Sequence, residues 1–519
     1  MSLCSLISSL AVTATLLYPV VHAQKCEKTK VAILGGGTTG ITAAQALTNA
    51  SIHDFIIVEY NADIGGRVAH TDFGKDIDGN PYTVELGANW VQGLGSAGGP
   101  ENPIWTLAKK YNLTNTYSDY SSILTYNKDG YSNYSDLIDD YENGPYSEIE
   151  YGAGIILTEN LLDQSFRAAS SLAGWKPQTP EEQAVEWWEI DWEYSYPPEE
   201  CSETYTVVNY NTTFYQFSEA NNLVIDQRGF NAFIKGMAST FLHKNDSRLR
   251  LNTIVTNISY TDDSVSVFNH DGSCIEADYA ISTFSLGVLQ HDVITFDPPL
   301  PKWKKQGIAN FAMGTYTKIF LQFNPEDVFW DKNTQFFLYA DPTRRGYYTV
   351  WQSLDTEGFL PGSGIIFATV LNTESYRIEK MSDDETKKEA LAVLKTMFPE
   401  VEKIPDPIAF MYPRWTETPW SYGSYSNWPV GVTLEMHQNL RANVSNLYFA
   451  GEATHPEYYG FLQGAYFEGK AAAEAIASCV KNNGCVGGPN YPVLHGTTEE
   501  KDLTSANGWT GRSLFSILA

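Results

Sequence analysis

A chain of 519 residues with 43% hydrophobic and 13% aromatic content is too long for one small core and too apolar for disorder, so two domains are expected. Its formal charge of -28 excludes nucleic acid as a partner. That charge either draws in cationic ligands or keeps the protein soluble, and charge alone does not choose between them.

The first 23 residues read as a secretory signal. Leu10 to Val21 is an apolar core too short to span a bilayer, and Val21-His22-Ala23 is a small-x-small cleavage site, although no Lys or Arg precedes the core. No later segment reaches spanning length, so the expectation is a secreted, extracellular protein with no membrane partner, read as a monomer. N-x-S/T triplets at Asn49, Asn112, Asn133, Asn211, Asn245, Asn257 and Asn443 agree with that compartment, though several would arise by chance. Cys479 and Cys485 are close enough to staple a loop. Cys26, Cys201 and Cys274 leave an odd number, so at least one thiol is free or intermolecular. No cysteine–histidine cluster has ligand spacing, and no metal is expected.

Lys30 to Arg67 organises the rest. Val31 to Leu34 is an apolar run suited to a strand buried on both faces of a parallel sheet. Gly35, Gly37 and Gly40 then form G-x-G-x-x-G: the first for a tight turn, the second for backbone approach to a pyrophosphate, the third for close packing of a helix over Ile41 to Asn49. A second strand, Phe55 to Val58, ends at Glu59, placed to accept hydrogen bonds from an adenosine ribose. Gly65-Gly66-Arg67 is more than a plain NAD site needs. This stretch resembles the flavin-containing amine oxidase family, in which a glycine pair and an arginine after the ribose acid help to hold FAD. VELGANWVQG (Val84 to Gly93) resembles the family segment that passes under the flavin, which implies cofactor contacts for Gly87, Ala88, Asn89 and Trp90. Read without the upstream glycine motif, Gly65 to Arg67 is a surface turn with an exposed arginine.

Residues 110–150 are rich in Tyr, Asn, Ser and Asp with little periodicity. Tyr151 to Leu172 and Pro180 to Tyr194 have helical spacing, and a further helix is predicted over Phe230 to Phe241. Leu249 to Val255, Ile258 to Tyr260 and Ser264 to Phe268 read as strands, with Val255 counted among the cofactor positions and a hairpin through His270-Asp271-Gly272. Asp278 to Gln290 is a strand entering a glycine turn, again similar to the family. Thr315 to Phe323 alternates, followed by strands at Phe336 to Tyr339, Tyr347 to Trp351 and Ile365 to Val370, then an amphipathic helix from Asp383 to Met397. Leu447 to Gly451 is a short buried strand followed by Glu452, and Gly464 to Val480 an Ala-rich helix. The expected fold is α/β with α+β: a discontinuous Rossmann-like FAD-binding domain (29–105, 226–312 and 441–485) and an inserted substrate-binding domain of mixed sheet plus helices (106–225 and 313–440). Residues 486–519 are expected to be a loose tail, whose terminal apolar heptamer is short for a lipid-anchor signal.

Four places carry chemistry. Lys318, in YTKIFLQF, shares a strand face with Tyr316 and Phe320, opposite Thr317, Ile319, Leu321 and Phe323. Two readings are open: an edge-strand lysine that discourages aggregation, or, as the resemblance implies, the active-site lysine joined through water to flavin N5. Glu186 to Glu200 interleaves carboxylates with Trp187, Trp188, Trp192, Tyr194 and Tyr196, a composition that holds ammonium groups by charge and cation–π contact. Glu193 matches the acid that contacts substrate in polyamine oxidases of the family, although an amphipathic helix with core aromatics is the plainer reading, above all for Trp187 and Trp188. Gln92 stands where plant members carry a second tunnel acid. Tyr425 and Phe461 match the aromatic pair that clamps the amine, Phe461 replacing the more common tyrosine. Trp415 matches a tryptophan beside the flavin, Glu452 an acid on the ribityl chain, and Tyr316 belongs with the substrate wall. His455 is given no role.

The resemblance, from about Lys30 to about Cys485, implies an FAD-dependent amine oxidase closest to secreted polyamine oxidases. Hydride passes from a secondary amine to flavin N5, the iminium hydrolyses to aldehyde and amine, and O2 is reduced to H2O2. Spermine, spermidine or their acetylated forms are the implied substrates. No cysteine occupies the family's flavin-attachment positions, so the FAD is expected to be non-covalent. A monoamine oxidase, an L-amino-acid oxidase (which needs an arginine for the substrate carboxylate) and a catalytically silent flavoprotein stay open as alternatives.

Overall fold

The computed structural model describes residues 25–159, 161–482 and 484–485, so the proposed signal and the C-terminal tail lie outside the described residues. Strand β1 (Glu27–Leu34) pairs in parallel with β2 (Phe55–Val58) and with the strand Cys274–Ser282, and helix α1 (Thr38–Asn49) crosses between β1 and β2. This is the βαβ unit expected of a buried apolar strand, a glycine turn and a helix. Around it an eight-stranded sheet collects segments from distant parts of the chain, including Leu249–Arg250, Val255–Tyr260, Val265–Asn269, Thr295–Asp297 and Leu447–Phe449. The last helix, Leu462–Lys481, returns onto α1, where a Cβ on Gly469 would lie 2.2 Å from the Thr39 carbonyl oxygen. Only glycine permits so close a crossing.

A second sheet of seven strands runs in the order Ala409–Met411, Tyr316–Gln322, Ile365–Leu371, Val350–Ser353, Phe336–Tyr339, Ile123–Asn127 and Gly130–Tyr131. The chain is therefore a discontinuous Rossmann-like fold carrying an inserted mixed sheet. A disulfide joins Cys26 to Cys274 across the pairing of β1, a second joins Cys479 to Cys485, and Cys201 is a buried free thiol.

Several predicted elements change on folding. The single helix read from Tyr151 to Leu172 is two, Ser147–Thr158 and Phe166–Leu172, because Ser165 caps the second through Ala168 N. The strand read from Leu249 to Val255 breaks after Arg250, with Asn252 at φ 52° turning the chain before Val255–Tyr260 begins. The helix predicted over Phe230 to Phe241 is confined to Ala232–Ala238. Pro180 to Tyr194 is helical throughout, opened by a Thr179–Glu182 capping box, but Trp187–Asp191 widens into a π-turn.

Candidate active site

One cavity of about 440 Å³ runs between the two sheets. Every site position named from the sequence lines it except Gly40. Gly40 serves packing alone: a Cβ there would sit 1.9 Å from the Gly35 carbonyl oxygen. Two of the other glycines behave differently. At Gly37 and Gly451 the nearest atom to an added Cβ is 3.8 and 3.9 Å away, so the space in front of them is open for a ligand to approach the backbone. Helix α1 begins at Gly37 with no side-chain cap and no acid in its first turn, leaving its N-terminal amides to an anion. Thr38 Oγ1 and Trp415 Nε1, both in the cavity wall, are buried without a hydrogen-bond partner. These features fit FAD: amides and Thr38 for the pyrophosphate, Glu59 for the ribose, Trp415 beside the ring system.

Glu59 is held in place by the backbone amides of Gly36 at 2.6 Å and Asn61 at 2.8 Å, and burial pushes its carboxyl up. Glu452 is fixed more heavily. One oxygen pairs with Arg67 at 2.7 Å, and the other accepts from Ser426 Oγ at 2.5 Å and Gly460 N at 2.8 Å. Arg67 also donates to the Ser424 carbonyl at 2.9 Å, so the arginine of the Gly65-Gly66-Arg67 turn ties the first sheet's loops to the stretch that carries Tyr425.

Lys318 is 1% exposed. Its Nζ donates to the carbonyl oxygens of Glu85 at 3.1 Å and Gly87 at 2.8 Å and to Asn89 Oδ1 at 3.2 Å, and it lies 5.4 Å from the centre of the Trp90 ring. A side chain this deeply held does not guard a solvent edge. Burial pulls Lys318 down while the charge of Glu85 opposes the shift; burial likewise pushes the Glu85 carboxyl up. Glu85 accepts from Phe230 N at 2.6 Å through one oxygen and leaves the other, buried, without a partner. The VELGANWVQG segment thus does two things at once, lining the cavity and presenting three acceptors to the lysine.

The far end of the cavity is aromatic and acidic. Tyr425 donates through its hydroxyl to the Glu193 carbonyl at 2.8 Å and its ring lies 6.1 Å from that of Tyr316. Trp192 is edge-on to Trp90 at 5.8 Å and stacked on Trp188 at 4.7 Å. Tyr194 donates to Thr206 O at 3.2 Å, and Phe461 meets Phe214 edge-on at 6.3 Å. The Glu193 carboxylate faces the cavity with one side-chain partner, the Gln92 amide, at 3.3 and 3.5 Å. Desolvation pushes its carboxyl up to about 7, and the Gln92 hydrogen bond only partly reverses this.

Some wall residues escaped the sequence reading. Ser426, Gly460, Trp420 and Tyr459 lie in the wall close to Tyr425 or Phe461, inside or next to stretches already singled out, and proximity to those motifs was the available signal. Tyr120, edge-on to Trp192 at 5.7 Å, comes from the aperiodic segment and had none.

Comparison with known proteins identifies the family. The family model described as flavin containing amine oxidoreductase matches residues 38–477. Polyamine oxidase 1 of Zea mays is 37% identical over 474 residues, covering 88% of this chain and 92% of that protein. Polyamine oxidase 7 of Oryza sativa subsp. japonica is 36% identical over 459 residues, covering 85% and 93%. The solved structure of wild-type putrescine oxidase bound to putrescine superposes with a TM-score of 0.68 at 18% identity, over 88% of this chain and 100% of that one, which shows the shared fold. The chain belongs to the flavin-containing amine oxidoreductase family and is an FAD-dependent amine oxidase.

Proposed function

We propose that this amine oxidase is secreted and acts on polyamines, oxidising a secondary amine of spermine, spermidine or an acetylated derivative. The observation that carries the substrate class is the Glu193 carboxylate, which has no salt-bridge partner among the described residues and is desolvated beside Trp192, Tyr194, Tyr316 and Tyr425 in the same cavity as Lys318. An ammonium remote from the reacting nitrogen satisfies that charge, and aromatic faces accept its neighbours. Arg67, the one arginine of the wall among the described residues, is engaged with Glu452. This argues against an amino-acid substrate, whose carboxylate needs a free cation.

FAD held by these residues would supply the hydride acceptor for the carbon next to nitrogen, with O2 as the final electron acceptor giving H2O2 and hydrolysis of the iminium giving an aldehyde and an amine. The protein's share is positioning and desolvation. Tyr425 and Phe461 wall in the amine, Glu193 sets how far it enters, and Lys318 holds a titratable hydrogen-bonding group at the reacting end. Secretion is supported by the signal-like first 23 residues and by two disulfides. Asn49, Asn112, Asn133 and Asn245 are exposed and open to glycans, whereas Asn211 is 2% exposed.

The test is a visible spectrum of purified protein mixed anaerobically with spermine. Bleaching of the flavin bands, with peroxide released on admitting air, supports the reading. Bleaching by a simple monoamine but by no polyamine would move the assignment to a monoamine oxidase.

A further inference from the structure

Among the described residues two lysines are completely buried, Lys304 and Lys318, and they are held in different ways. Lys304 Nζ donates to two carbonyl oxygens, those of Leu440 and, at 2.7 Å, Ala442. Two is the number of N–H bonds that a neutral amine can give, and burial alone pulls Lys304 well below its ordinary value. Lys318 donates to three acceptors, the Glu85 and Gly87 carbonyls and Asn89 Oδ1, which is the full complement of an ammonium. Asn89 presents its oxygen because its Nδ2 is committed to the Val224 carbonyl at 3.0 Å. The Trp90 and Phe367 rings, 5.4 and 5.8 Å from Nζ, also favour a cation. A buried cation is costly without an anion to answer it.

That anion is at hand. Glu85 ends the strand Tyr82–Glu85 and is buried, with its own backbone carbonyl 3.1 Å from Lys318 Nζ. One carboxylate oxygen takes the Phe230 amide, and the other, also buried, takes nothing. Burial pulls Lys318 down and pushes Glu85 up, and the charge of each opposes the shift of the other. The other titratable groups around the pair are engaged or neutral. Asp226, whose charge also pushes Glu85 up, is bound by Arg228 at 2.7 Å and by the Thr114 amide at 2.8 Å. His70 stands opposite Glu85 in the pairing with His70–Phe73, and burial pulls it down, toward the neutral ring. Tyr316, on the lysine's own strand, is pushed up by burial and stays a phenol.

We infer that the Glu85 carboxylate is the counter-ion of Lys318, a positioning residue behind the cavity wall that keeps an ammonium, with its three bonds, at the reacting end. Glu85 does not line the cavity and acts only through the lysine. A positive charge at that place favours the negative charge that a flavin gains on reduction. The inference rests on the reading that sets Lys318 beside the flavin.

The experiment uses holoenzyme reduced with dithionite, so that the amine plays no part, and follows reoxidation by O2 across pH in wild type, Glu85→Gln, Glu85→Asp and Lys318→Met. Gln keeps the oxygen that accepts from Phe230 but drops the charge. The limb that reports the lysine's proton, absent from Lys318→Met, is expected about 1–3 pH units lower in Glu85→Gln, because an adjacent opposite charge is lost, and near its wild-type position in Glu85→Asp. A limb that does not move in Glu85→Gln overturns the inference. Melting temperatures of wild type, Glu85→Gln, Lys318→Met and the double variant give a second answer into which no rate enters. Each single change leaves a buried charge unanswered, so the double variant is expected to lose less than the two single losses add up to. Additive losses overturn the counter-ion. Reoxidation by Lys318→Met that matches wild type at every pH, beside a non-additive melting cycle, would keep the ion pair and overturn its place beside the flavin.

Discussion

The two ends of the cavity are built from different materials. At the cofactor end the work falls to backbone: an uncapped helix start, open space before Gly37 and Gly451, and a tight turn at Gly65-Gly66. At the substrate end it falls to side chains brought from separate elements, Lys318 from a strand, Glu193 and Trp192 from a π-widened helix, Tyr425 and Phe461 from loops. A backbone site must be contiguous in sequence, because its geometry is made by successive residues. A side-chain site needs no such continuity. Single side chains in it can be exchanged without disturbing the backbone around them.

The largest expected effect tests the backbone end. Gly37→Val should fold yet purify without flavin, since its side chain enters the open space where the pyrophosphate would sit; Gly40→Val should fail to fold, since its Cβ meets the Gly35 carbonyl. Flavin absorbance and a thermal melt separate the two glycines. If Gly37→Val keeps a full complement of FAD, the phosphate site lies elsewhere.

Lys318→Met should keep fold and flavin while slowing flavin reduction or reoxidation by at least ~10-fold, from loss of a positioned polar group at the reacting centre. Stopped-flow traces of the two half-reactions measure it. Unchanged rates in both would reduce Lys318 to a structural tie between its strand and the Glu85–Asn89 segment.

Glu193→Gln should raise the KM of spermine by about 10-fold and leave kcat little altered, because a remote ammonium contributes alike to ground and transition states. The pH dependence sharpens this. With its carboxyl held up near 7 by burial, Glu193 is neutral below that pH and charged above it, so attraction for an ammonium is lost as pH falls through about 7. Wild-type spermine KM should therefore rise toward acid, and the Gln variant should lack that limb. A parallel rise in both would assign the limb to another group. The smallest effect is Gln92→Glu, which should tighten long polyamines by a few-fold at low ionic strength and less at high salt. A carboxylate there also faces Glu193, and weaker spermine binding would show that repulsion wins.

The G-x-G-x-x-G turn, its flanking strand and helix, Glu59 and the Gly65-Gly66-Arg67 turn were legible in sequence because local backbone rules tie each to its neighbours. So was the alternation that sets Lys318 apart from Ile319 and Leu321. The Ser165 cap and the break near Asn252 were not, since each turns on one side chain or one dihedral within an otherwise regular pattern. Only the tertiary structure decided that Lys318 meets Glu85, Gly87 and Asn89, residues more than 200 positions away. It also decided that Glu186 and Asp191 are neutralised by arginines while Glu193 lines the cavity among aromatics. Charge and periodicity make those acids alike; which of them is free to meet a substrate depends on what the rest of the chain packs against them.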